Sequence, residues 1–334
     1  MPFLEDSSGQ SREHEARFLA LAALESYPLE VSRIELLADY TNTLFRVDTH
    51  GEGRWVVRVG ISGPVAHSDT VINSEMLWLE AIHRDTGLTA PRPLRNRHGS
   101  LVTAVTIPSL IEPRTCVVFS WMPGRLLAES LGRDEMHALG AYEARLHAYG
   151  AEFRPPPEFS IPRYDKAFPY ERPVVLFDND HQGLMKGAMR DRCIALRDRI
   201  EVVTQRLSHR EPVRVIHGDL YQWNALVHRG EIGVFDFEDL LWGWPVQDIA
   251  GTFFTLWDRD DYPELQASFQ SGYETVADWP EKEPGEIATF VAGRSLVLAN
   301  DVLQQPETRH EAGSILTDAA QRIEAVLGQA EDGL

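Results

Sequence analysis

Hydrophobic periodicity changes character once along this chain, at Met122-Pro123-Gly124, and that change limits the folds open to it. Before it, β-branched and apolar residues crowd into short runs at 33–37, 43–48, 55–59, 101–107 and 115–121, the signature of strands. One helix interrupts them at about 69–85, stopping before Gly87, and another at 11–26 precedes them with Ala16, Leu19, Ala20, Ala23 and Leu24 three and four apart. After the change, Leu139, Tyr142, Leu146 and Tyr149 recur at helical spacing over 134–149. Residues 185–207 and most of 249–327 also read as helix, with a break at 279–284. The expected fold is α+β and two-lobed. A small antiparallel-sheet lobe occupies residues 1–121 and a larger, mainly helical lobe residues 122–334.

The chemistry concentrates in residues 215–250, VIHGDLYQWNALVHRGEIGVFDFEDLLWGWPVQDIA. His217, Asp219 and Asn224 form H-x-D-x4-N, and a hairpin follows, with strands at 225–228 and 232–235 around Arg229-Gly230-Glu231. A hairpin centred on Gly230 would set Asn224 directly across from Asp236. An amide carbonyl and a carboxylate beside a second carboxylate offer only hard oxygen ligands, which suit Mg2+ holding phosphate oxygens rather than zinc. Asp219, in the loop before the hairpin, is placed to orient and deprotonate a hydroxyl. The set is that of phosphoryl transfer.

HGDLYQWN followed by VFDFED and PVQDIA resembles the aminoglycoside phosphotransferase and choline kinase family, small-molecule kinases with a protein-kinase-like fold. The resemblance implies that Asp219 is the catalytic base and that Asn224 and Asp236 are magnesium ligands. It also implies that Asp248 braces the catalytic loop, that His217 is structural, and that ATP is the phosphate donor. In layout, residues 117–124 match the linker where the family binds adenine through main-chain groups, with Ser120 and Met122 as contributors. The turn at 38–43 resembles the family's glycine-poor phosphate loop, in which Asn42 and Thr43 would supply donors.

A kinase-like site needs a cation on the third strand and an acid on the lone helix to position it. Strand alternation over 55–59 puts Val57 and Val59 on one face and Val56 and Arg58 on the other. Glu75 shares a helical stripe with Ile72, Met76, Leu79 and Ile82, so it points into an apolar face, where a carboxylate needs a partner. Arg58 is that partner. Many members of the family carry Lys at this strand position, while choline-kinase-like members carry Arg.

With 32 basic and 51 acidic residues the formal charge is −19, which disfavours nucleic acid and anionic membrane as partners. A cationic small molecule remains welcome. Asp258, Asp260, Asp261 and Glu264 form an acidic run, and Trp242, Trp244 and Trp257 are available for stacking or for the core. Two cysteines, no signal-peptide pattern at the N-terminus and no long apolar window point to a cytoplasmic protein without structural metal.

The expected activity is transfer of the γ-phosphate of ATP to a hydroxyl of an amino-sugar, antibiotic or amino-alcohol. A protein Ser/Thr kinase of the bacterial stress-response type and a silent nucleotide-binding scaffold are the alternatives. The scaffold would not need Asp219, Asn224 and Asp236 together. A protein kinase would want a long activation segment, but only twelve positions separate Asp236 from Asp248.

Overall fold

The computed structural model describes residues 7–51, 53–61, 66–108, 110, 112–170, 173–178, 181, 188–305 and 308–331. The chain divides into two compact units, residues 1–124 with 155–160, and residues 125–154 with 161–334.

In the first unit, α1 (Ser7–Leu24) precedes β1 (Val31–Asp39), β2 (Thr43–Thr49) and β3 (Arg54–Val59). Then come α2 (Asp69–Asp85), β4 (Thr103–Val105) and β5 (Arg114–Ser120). The strands form one antiparallel sheet in the order β1-β2-β3-β5-β4. Period-two alternation decides its faces. Phe45, Val47, Val57, Val59, Cys116 and Val118 pack against Ala16, Leu19, Ala20 and Ala23 of α1. Each fully buried aliphatic side chain there contributes about 1.5–3 kcal/mol. Arg58 lies between Val57 and Val59 and so leaves by the opposite face, where α2 brings Glu75. Ser68 caps α2, its hydroxyl accepting from Val71 N–H at 3.3 Å. The segment 155–160 joins this unit through Ser160 N–H, which donates to Ser74 Oγ at 2.8 Å.

The second unit holds β6 (Arg125–Leu126), α3 (Arg133–Glu152), α4 (Ala188–Arg210), β7 (Arg214–Ile216), β8 (Ala225–His228), β9 (Glu231–Val234) and β10 (Leu241–Gly243). It continues with α5 (Pro245–Phe254), α6 (Tyr262–Glu274), α7 (Glu286–Leu303), α8 (Ala312–Asp318) and α9 (Ala320–Glu331). Positions 185–187, where α4 was expected to begin, lie outside the described residues. A sheet β6-β8-β9 and a two-stranded ladder β7-β10 carry the loops that matter. The described helices include none long and apolar enough to cross a membrane.

The β8–β9 hairpin corrects one expectation. Its pairs are Ala225 with Val234 and His228 with Glu231, so Phe235, not Asp236, stands opposite Asn224. Arg229 (φ 54°) and Gly230 (φ 83°) both adopt left-handed backbone, which is a two-residue type I′ turn rather than the three-residue turn read from the sequence. A turn shorter by one residue shifts the register by one.

Candidate active site

Residues 217–219 form a turn directly after β7, and its backbone is held from behind. Asp248, in the first turn of α5, accepts from His217 N–H and Gly218 N–H, each at 2.8 Å, on different carboxylate oxygens. Burial alone would push the Asp248 carboxyl up, but His147, at 3.1 Å, and the His217 contacts outweigh it and hold it below its ordinary value. With Nε2–H of His147 donated to Asp248, its Nδ1 accepts from Tyr273 Oη at 3.1 Å. Gly218 has φ 83°, and a Cβ there would come within 2.0 Å of Asp239 O, so no side chain fits. His217 is buried, and burial lowers its pKa. The neutral ring donates Nε2–H to Phe235 O at 3.1 Å and accepts from Asp219 N–H at 3.3 Å through Nδ1.

Thr252 extends the brace. Its Oγ1 lies 2.9 Å from Leu220 O and 3.0 Å from Glu143 Oε2. The single hydroxyl proton goes to the carbonyl, which can only accept, so Glu143 supplies the proton of the other bond. Burial and the nearby Asp248 charge raise the Glu143 pKa well above its ordinary value, in keeping with a neutral acid. Ligand-type atoms of Glu143, His147 and Asp248 lie within 4.8 Å of one another. Both Asp248 oxygens already accept from the turn's amides, which makes this cluster a brace.

Asp219 is half-buried. Its Oδ1 pairs with Arg294, and its Oδ2 accepts from Asn224 Nδ2 at 3.1 Å. Burial, opposed by Arg294 and reinforced by Asp239, pushes its pKa up to about 6. Asn224 Nδ2 also donates to Asp219 O at 2.9 Å, which fixes the amide and leaves Oδ1 as a hard oxygen for a cation. Asp236 follows Phe235 with an exposed side chain and φ 64°. Left-handed backbone at a residue with a side chain costs about 1–3 kcal/mol, and such strain gathers at functional sites. Tyr221 has its phenol raised first by burial and then by the charges of both Asp219 and Asp236. The donor set of an amide oxygen and carboxylates fits Mg2+.

In the first unit, Arg58 and Glu75 form a two-pronged, buried ion pair, with Nη1 to Oε1 at 3.0 Å and Nη2 against Oε2. The guanidinium also lies 5.4 Å from the Phe119 ring centroid. Glu75→Gln is expected to lower the unfolding free energy by about 2 kcal/mol, because Arg58 stays buried without its counter-charge. Replacing both residues, Arg58→Met with Glu75→Leu, should recover most of that loss. Urea denaturation curves that coincide for the single and double variants would contradict the pairing.

Other expected nucleotide contacts are differently engaged. The Thr43 hydroxyl donates to Asp39 at 2.7 Å and closes the β1–β2 turn; Asn42 O accepts from Tyr40 N–H at 3.2 Å in the same turn. Ser120 donates its N–H to Arg92 O at 2.8 Å and its hydroxyl accepts from Arg92 N–H at 2.9 Å, which occupies the Ser120 N–H. Met122 is half-buried, and none of the hydrogen bonds among the described residues uses its main-chain groups.

The acidic run is a solvated face rather than a lining. Asp261 pairs with Arg259 at 2.8 Å, Asp258 with Arg322 at 2.6 Å, and Glu264 with Arg133. Trp244 is core, its Nε1–H donated to Glu211 O at 3.0 Å, and Trp257 packs on Tyr262. Sequence reasoning missed Arg294, Tyr170, Glu143 and His147. A lone charge inside the apolar run Phe290-Val291-Ala292-Gly293-Arg294-Ser295-Leu296 was the available signal for the first.

The sequence model of the "Phosphotransferase enzyme family" matches residues 33–284. The amicoumacin kinase of Bacillus subtilis (strain 168) is 24% identical over 294 residues, covering 81% of this chain and 78% of that protein. A microcompartment-associated aminopropanol kinase superposes with TM-score 0.73 at 22% identity, over 95% of this chain and 98% of that one. An amicoumacin kinase in complex with AMP-PNP, Ca2+ and Ami does so with TM-score 0.73 at 20% identity, over 96% of each chain.

Proposed function

The chain belongs to the phosphotransferase enzyme family, and from that premise we propose that Asp219 is the general base of a kinase that phosphorylates a small hydroxylated molecule with ATP and Mg2+. The observation that carries this reading is the Asn224 amide, which bonds to both the Asp219 carbonyl and its carboxylate and so ties a cation ligand to the base. A metal held by Asn224 and Asp236 would neutralise charge on the transferring phosphate. Asp219 accepts the acceptor's hydroxyl proton as the new oxygen–phosphorus bond forms; the bond from the γ-phosphorus to the β–γ bridging oxygen breaks, and ADP leaves. Arg58, set by Glu75, holds donor phosphates, and the main-chain groups of Met122, which enter no hydrogen bond among the described residues, meet the adenine edge.

Two features favour a small acceptor. Only twelve positions run from Asp236 to Asp248, and they are filled by β10 and the start of α5, leaving no room for a long activation segment. The amicoumacin and aminopropanol kinases also act on small molecules. A positive charge on the acceptor is favoured by Asp239, hydrogen-bonded to Tyr170 and felt by Asp219, and not by the paired acids of 258–264. With both cysteines free and buried, the cytoplasm is the fitting compartment.

The test is Mg·ATP consumption with 1-amino-2-propanol, amicoumacin, an aminoglycoside, choline and a generic protein substrate. Turnover with a small alcohol is expected, and transfer to protein alone would overturn the reading. Asp236→Ala should weaken Mg·AMP-PNP binding by about 10- to 100-fold in calorimetric titration. Unchanged affinity would remove Asp236 from the metal site.

A further inference from the structure

Arg294 lies on α7, beyond the residues matched by the family, yet its guanidinium reaches the catalytic turn. Nη1 donates to Gly218 O at 3.0 Å and Nη2 to Asp219 Oδ1, so one planar fork grips two consecutive residues. Asp248 already holds the N–H groups of this turn, and Arg294 holds its carbonyl and its carboxylate from another element.

The group is fitted into place. It rests 5.8 Å from the Phe254 ring centroid and passes over Gly251, where a Cβ would stand 3.4 Å from Nη1 and 3.9 Å from Cζ. Arg322 takes a place 5.0 Å from the centroid of the same ring. Nε of Arg294 is buried with no hydrogen-bond partner among the described residues. Leaving a buried donor unmet costs about 1–3 kcal/mol, which is set against the two charge-assisted bonds that the outer nitrogens make to the turn.

We propose that Arg294 is a positioning residue for phosphoryl transfer, whose fork fixes the Asp219 carboxylate and the Gly218 carbonyl in the orientation the acceptor hydroxyl meets. This rests on the reading of Asp219 as the base. A lysine ammonium is a point charge and does not reproduce the two-pronged grip.

The experiment compares the parent protein with Arg294→Met, Arg294→Lys, Arg294→Ala and Asp219→Asn. Turnover of Mg·ATP is measured with water as acceptor, and also with any panel compound that the parent phosphorylates. Mg·AMP-PNP affinity and the thermal transition are recorded for each. Arg294→Met should lose about 100-fold in kcat while binding Mg·AMP-PNP within about threefold of the parent. Arg294→Lys should stay closer to Met than to Arg. Millimolar guanidinium chloride, but not sodium chloride of equal ionic strength, should restore part of the activity of Arg294→Ala.

Turnover of Arg294→Met within threefold of the parent, with Asp219→Asn inactive, would overturn this proposal alone. So would a loss in Arg294→Ala that guanidinium leaves unchanged. If Arg294→Met fails to fold, parent-like kcat in Arg294→Lys would overturn it instead. An active Asp219→Asn would fault the assignment of the base, which is a different failure.

Discussion

Asp219→Asn is expected to leave nucleotide binding in place and to lower phosphoryl transfer by about two to four decades, the effect of removing a positioned general base. The substitution keeps the shape of the side chain and an oxygen for Arg294, so the turn it sits on remains held by Asp248 from behind. What disappears is the proton acceptor, together with the bond from Asn224 Nδ2 to Oδ2; the Asn224 amide keeps its bond to the carbonyl of residue 219. Stability should move with pH in a defined direction. In the parent, without nucleotide, the folded carboxyl titrates at about 6, above its ordinary value of 3.8, because burial disfavours the charge. Such a group contributes stability below its unfolded pKa, and that contribution is lost as pH rises through the folded value. The Asn variant lacks this loss, so the parent-minus-variant difference in unfolding free energy should fall between pH 4 and pH 7. A flat difference across that range would show that Asp219 is not perturbed, and equal turnover would remove it from the mechanism.

Asp248→Ala is the variant expected to harm the fold most, by about 3–5 kcal/mol in urea denaturation. Three buried donors, His217 N–H, Gly218 N–H and His147 Nε2–H, lose their acceptors at once. Each buried donor left without a partner costs about 1–3 kcal/mol, and relaxation of the turn recovers part of the sum. Because the freed amides belong to the turn that carries Asp219, transfer should be lost even where the variant stays folded. A denaturation midpoint equal to the parent's would mean that the turn is held by something else.

The first unit was legible in sequence because its signals are local. Alternation over β3 separates Val57 and Val59 from Arg58 with no reference to the rest of the chain, and Glu75 announces itself as a carboxylate in an apolar stripe. The candidate catalytic residues Asp219, Asn224 and Asp236 stood out in sequence because one turn and one hairpin fix their spacing. The register of that hairpin was not, since it depends on whether two or three residues make the turn, and Arg229 in left-handed backbone decided it. Thr43 illustrates a different limit. A hydroxyl in a turn serves either a ligand or a neighbouring carboxylate, and only the position of Asp39 distinguishes the two. The acids at 258, 261 and 264 left a cleft field and a solvated face both open in sequence, and their pairing with Arg322, Arg259 and Arg133 favours the face. Of these, Arg322 and Arg133 are distant in sequence. Arg294 shows the same difficulty at greater cost, because its target lies 75 positions away.

That last feature bears on how enzymes of this architecture diverge. Asp219 and the proposed cation ligands Asn224 and Asp236 fall inside the matched span, while the guanidinium that grips Asp219 comes from α7, outside it. If Arg294 positions the base as proposed, a descendant could retain the entire signature and still become faster or slower through one replacement in that helix. Catalytic speed is therefore free to drift where motif-based comparison does not look.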